Sequence, residues 1–181
     1  MTDGRLPFLV HGTLLPGEAD HDRFLRGRTR DERPAVPPGA LLCEGPGHPY
    51  AVDGPDTVHG PDTVHGTLVT AAPGAHGELL RLLDDLERYR GPDHPRNLYD
   101  RLVRSAHPRC GRPTAPRRAG TAAPRTGRTR PGRPGPLPDG PVRAWVHLAA
   151  APVVRSLRTG GTPVPGGDGL SRRPPPARRT P

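Results

Sequence analysis

Lysine is absent from this sequence: all 27 basic residues are arginine, a cation that stays protonated at any working pH. The excess of +9, with histidine counted neutral, therefore rests on a cation that does not itself titrate over the physiological range. Aromatic residues make up only 3% of the 181-residue chain and apolar residues 31%, against 28 prolines and 24 glycines. That poverty of packing material excludes a single core spanning the whole chain. The two cysteines, Cys43 and Cys110, are too few for a disulfide framework or a four-thiolate zinc site, and free thiols are expected. No apolar run approaches the ~20 residues needed to cross a bilayer. Met1 to Pro7 lacks the basic stretch and apolar run of a secretion signal, so a soluble, cytoplasmic protein is expected.

Acidic residues are also missing, but only from particular places. Residues 105–140 hold eight arginines and eight prolines against Asp139 alone, and residues 169–181 add four arginines with no acid. Elsewhere 15 arginines face 17 acids. The positive charge thus belongs to two segments with almost nothing to bury, which cannot offset the entropy cost of ordering them. The expected organisation is a domain formed by 1–104 and 141–168, a disordered Arg/Pro-rich insertion at 105–140 and a disordered basic tail at 169–181.

The remaining sequence alternates strand and helix signals. Leu6 to Val10 is a short apolar run closed by Gly12-Thr13, a strand feeding a turn. Pro16 to Asp20 opens a short helix through Phe24 and Leu25. Ala40 to Cys43, Tyr50 to Val52 and Gly66 to Thr70 read as strands, and the tandem Gly-Pro-Asp-Thr-Val-His of 54–65 lengthens a loop. Residues 75–90 carry a helical stripe of Leu79, Leu82, Leu83, Leu86 and Tyr89. With Leu79 at zero and about 100° per residue, Glu87 falls near 80°, bordering the stripe, whereas Arg81, Asp84 and Asp85 fall on the opposite side. Leu98 to Arg104 and Val142 to Leu148 are further strands, and a last short helix runs through Val153, Val154 and Leu157.

Three separated segments carry a resemblance. They are Phe8-Leu9-Val10-His11-Gly12-Thr13-Leu14-Leu15-Pro16-Gly17-Glu18; Leu83-Asp84-Asp85-Leu86-Glu87-Arg88-Tyr89 followed by Pro95-Arg96-Asn97-Leu98-Tyr99-Asp100-Arg101; and Val142 to Leu148 with Gly161 to Asp168. In order and spacing the chain resembles the gamma-glutamylcyclotransferase-like family, in particular its small bacterial members. The resemblance implies an α+β fold, a small mixed β-barrel with external helices. It implies intramolecular aminolysis of a gamma-glutamyl amine or peptide, giving 5-oxoproline and a free amine, without cofactor or metal. It assigns the catalytic base to Glu87 and substrate binding to His11, Gly12, Thr13, Leu14 and Tyr99. His11 stands where the family usually has tyrosine, replacing a phenol hydrogen bond.

The residues alone leave plainer readings open: Glu87 as a solvated helix flank, Gly12-Thr13 as a simple turn, Tyr99 as a half-buried strand residue. A catalytically silent relative that binds a small ligand is one alternative. A basic protein touching nucleic acid through non-specific phosphate contacts of the insertion is another; without aromatic residues there, it would lack base stacking.

Overall fold

The computed structural model describes residues 6–46, 48–54, 64–109, 140–158 and 164. β1 (Phe8–His11) leads through a 3-10 turn at Gly12–Leu14 and a π-helical turn at His21–Leu25 to β2 (Thr29–Val36). Then come β3 (Ala40–Cys43), β4 (Tyr50–Asp53), β5 (Gly66–Ala71), α1 (His76–Leu86), β6 (Tyr99–Pro108), β7 (Val142–Ala149) and α2 (Ala151–Arg158). The duplicated hexapeptide falls largely outside the described residues, as do 110–139 and the tail.

Five strands pair in the order β1-β5-β2-β6-β7 and close on themselves, with β3 and β4 forming a separate hairpin. All pairs are antiparallel except β1 with β7. Strand alternation sorts the side chains. Leu9, Leu68, Ala35, Ala106, Ala144 and Val146 come from all five strands and share one buried cluster, the interior. Phe8, Val10 and Val69 point the other way and meet Leu79 and Leu83 of α1, together with Leu14 and Leu25. The α1 stripe read from the sequence thus covers one outer face of the sheet. Gly66 lies opposite His11; a Cβ there would sit 2.8 Å from the Val10 carbonyl oxygen, so the close approach of β1 to β5 requires glycine.

Four expectations change. The helix through Phe24 and Leu25 is a single π-helical turn, because the chain takes positive φ at Gly17 and Gly27 on either side of it. β2 occupies a stretch in which no strand was expected. Helix α1 stops at Leu86 instead of running to residue 90. Residues 105–108, assigned to the insertion, are strand: Ala35 pairs with Pro108 and Val36 with His107, so the end of β6 supplies the pairing that closes the sheet. Of the segment Gly161 to Asp168, only Val164 is described; it is buried and donates its N–H to the Leu42 carbonyl at 2.8 Å.

Candidate active site

Glu87 is the C-cap of α1. The end of the helix is closed by two reversed hydrogen bonds, Tyr89 N–H to the Asp84 carbonyl at 2.8 Å and Arg88 N–H to the Asp85 carbonyl at 3.3 Å. This double closure needs a left-handed residue after the cap, and Arg88 takes that role with φ of 54°. The backbone at Glu87 is therefore fixed by the chain reversal just beyond it, and its side chain is half-buried.

The chain returns from this turn to Tyr99 through a loop organised by one buried side chain. Asn97 accepts from the Arg90 N–H at 2.8 Å and donates to the Gly91 carbonyl at 2.7 Å and to the Asp100 carboxylate at 2.8 Å. It is 4% exposed, and all its polar capacity turned inward stabilises the loop. Tyr99, at the start of β6, is buried. Burial first, then the nearby carboxylate of Glu87, pushes its phenol well above the usual tyrosine range. The two residues singled out on either side of the loop are thus electrostatic neighbours, with Tyr99 a neutral phenol beside Glu87. His48, unremarked in the sequence, places Nε2 3.3 Å from the Tyr99 hydroxyl. Its ring stacks on Tyr50 at 4.3 Å, and Tyr50 stacks on Tyr99 at 5.7 Å.

His11 ends β1, and Gly12 at φ of 63° turns the chain into the 3-10 turn. A Cβ on Gly12 would meet nothing, so glycine is required there by its dihedral alone. Thr13 is exposed, while the Leu14 side chain is buried against the α1 leucines. Leu14 therefore has only its backbone to offer a ligand, and its side chain holds the turn on the α1 side of the sheet. The first amides of such a turn have no partner within it. The imidazole of His11 supplies a hydrogen bond of its own, Nε2 to the His147 carbonyl oxygen at 3.2 Å. Since a carbonyl only accepts, Nε2 carries the proton.

Asp84 corrects the helical-wheel reading. It is not a solvated flank residue: its side chain is 19% exposed, accepts from Arg101 of β6, and lies 3.0 Å from Nε2 of His147 on β7. The Arg101 guanidinium lies over the rings of Tyr89 and Trp145, at 4.9 and 5.0 Å. A cleft of about 290 Å³ opens nearby, lined by Arg81, Asp84, Asp85, Tyr89, Arg90 and Gly91; neither Glu87 nor the Gly12 turn lines it. Strand alternation gives His147 a face but not a partner, so this cluster was not legible beforehand.

Comparison with known proteins bears on the same residues. The chain is similar to an AIG2-like protein from Mus musculus, with 18% identity and a TM-score of 0.55 over 94% of this chain and 91% of that one. It also aligns with YkqA from Bacillus subtilis at 13% identity and a TM-score of 0.49, covering 91% of this chain but 39% of that one. No curated protein matches. The mouse protein shows a shared mixed α+β fold, mostly sheet with few helices. The family model for gamma-glutamyl cyclotransferase, AIG2-like proteins matches residues 8–114, more than half the chain and both the Gly12 turn and Glu87, and the chain therefore belongs to the gamma-glutamylcyclotransferase, AIG2-like family.

Proposed function

We propose that this protein converts a gamma-glutamyl amine or peptide into 5-oxoproline and a free amine, with Glu87 as general base. The closed five-stranded sheet is, on this reading, the family's small barrel, and the reaction runs in the cytoplasm without cofactor. What carries it is the family match over residues 8–114, which spans both the half-buried carboxylate of Glu87 and Tyr99, whose buried phenol the charge of Glu87 helps to hold above its usual range. Glu87 takes a proton from the substrate's alpha-ammonium group. The freed nitrogen attacks the gamma-carbonyl carbon, forming the ring C–N bond. The amides of Thr13 and Leu14 receive the developing oxyanion, an arrangement that stabilises charge as it forms. As the ring nitrogen sheds its second proton, the C–N bond to the leaving amine breaks; that nitrogen takes this proton and the one held by Glu87 and departs as an ammonium, leaving Glu87 ionised again. Tyr99, unable to ionise at working pH, donates a hydrogen bond to the substrate and adds no second negative charge beside the base.

Glu87→Gln tests the reading, because the amide keeps the shape and loses the base. With a panel of gamma-glutamyl amines, the variant is expected to release 5-oxoproline ~10² to 10⁴ times more slowly than the parent, with an unchanged melting temperature. Equal rates would remove Glu87 from the reaction. A parent inactive on the whole panel would favour the silent-relative reading.

A further inference from the structure

The proposed reaction makes no use of the most polar buried cluster beside Glu87. Asp84 lies one helical turn before Glu87, and its backbone carbonyl receives the Tyr89 N–H that closes the helix around the base. Its side chain is bound from two different strands, Arg101 of β6 and His147 of β7. The two carboxylate oxygens are divided between them: Oδ2 to Arg101 and Oδ1 to His147. Because a carboxylate only accepts, Nε2 of His147 carries the proton in this contact. The His147 side chain is 7% exposed and sits edge-on to Tyr89, with ring centroids 6.3 Å apart. Its backbone carbonyl holds His11, the residue that leads into the Gly12 turn. One residue of β7 thus touches both the strand end that presents the turn and the helix end that presents the base.

We propose that His147 is a positioning residue, which together with Arg101 fixes Asp84 against the sheet and so sets where the Glu87 carboxylate stands relative to Tyr99 and the Gly12 turn. An imidazole on one oxygen and a guanidinium on the other remove the freedom of Asp84 to turn about its terminal bond. The residues from Asp84 to Tyr89 are in turn one hydrogen-bonded unit, so tying the Asp84 side chain to β6 and β7 ties the helix cap to the sheet. Acting through Asp84, His147 contacts no reacting atom. Its loss should therefore lower kcat by displacing the base, with little change in KM, because misplacement penalises the transition state more than ground-state binding.

The proposal rests on Glu87 being the base, and the test separates the two. His147→Leu removes the donor at similar size, whereas His147→Gln can return an N–H near the position of Nε2. The expected result is about a tenfold loss of kcat in His147→Leu with KM within about twofold, and substantial recovery in His147→Gln. An activity-free readout uses the Tyr99 ring, whose carbon-13 resonances should step as Glu87 ionises, a step absent from Glu87→Gln. In His147→Leu that step should shrink or shift. Asp84→Asn, which keeps shape and the backbone bond from Tyr89, should do the same if His147→Leu fails to fold. An unaltered Tyr99 step in these variants would overturn the positioning role even if the protein released no 5-oxoproline. So would a His147→Gln variant as impaired in kcat as His147→Leu.

Discussion

Glu87 has two neighbourhoods, and they are built from different chemistry. On the side of Asp84 the contacts are ionic: one carboxylate shared between a guanidinium and an imidazole, with Arg101 lying over two ring faces. On the side of Tyr99 they are aromatic: Tyr99 and Tyr50 sit in a buried apolar cluster with Val52, Ala149 and Leu157, and His48 reaches the phenol oxygen. Ionic contacts fix direction at short range and lose value quickly with misalignment or solvent. Aromatic packing fixes position through area and is less sensitive to angle. On the proposed reading of Glu87 as a base, the first kind of contact would aim it and the second would give it a stable floor.

The comparison breaks most visibly in stability. Tyr99→Ala empties a position in the apolar cluster and is expected to cost about 3–5 kcal/mol, read as a lower urea midpoint. Arg101→Ala, by contrast, leaves Asp84 with His147 as its remaining side-chain partner in a site about one-fifth exposed; the expected cost is about 2 kcal/mol, reduced by solvent access relative to a fully buried pair. If Arg101→Ala were the more damaging of the two, the ionic side would be the floor. His11→Ala removes one part-buried hydrogen bond to the His147 carbonyl and should cost about 1 kcal/mol in the same measurement.

The smallest effect appears only in alkali. The Tyr99 phenol is held well above its ordinary range, chiefly by burial. In the unfolded chain it ionises near pH ~10, whereas the folded protein keeps its proton. Above that pH the unfolded state binds fewer protons than the native state, so stability falls as pH rises. Below it the contribution is fully present. Tyr99→Phe should make the decline in melting temperature between about pH 10 and 11 shallower than in the parent. An identical decline would mean that Tyr99 is not held neutral by the fold.

Apolar periodicity made most elements of this fold legible, and it failed where backbone pairing did the work alone. β1, β3, β4, β5, β7 and α1 each carry apolar residues at strand or helix spacing. β2 reads Thr-Arg-Asp-Glu-Arg-Pro-Ala-Val, with Ala35 as its one fully buried side chain. It is a strand because β5 and β6 pair with it on both sides, which its composition does not announce. The end of β6 was hidden for the same reason, since Ser105, His107 and Pro108 look like the start of the arginine-proline segment. In the site, motif order picked out Glu87 and Tyr99, which the fold makes electrostatic neighbours. The helical wheel misplaced Asp84 because it measures burial by the helix's own leucines, and Asp84 is covered by side chains from β6 and β7.

The meeting of β6 and β7 has a consequence for how the gene can be rearranged. Ala106 lies opposite Val142, so the chain leaves the sheet and comes back to it at neighbouring points. A connection between neighbouring points can be lengthened at only a slowly growing cost in closure entropy. The same property allows the backbone to be opened there. A circular permutant whose new ends fall within 110–139 would retain every strand pair and the helix bearing Glu87. An opening within 105–108 would instead break β6 where His107 and Pro108 pair with β2 and loosen the seam that closes the sheet. The paired chain thus runs about four residues further than composition suggests, to just past the end of β6, where the Arg109 N–H donates to the Pro34 carbonyl at 2.8 Å.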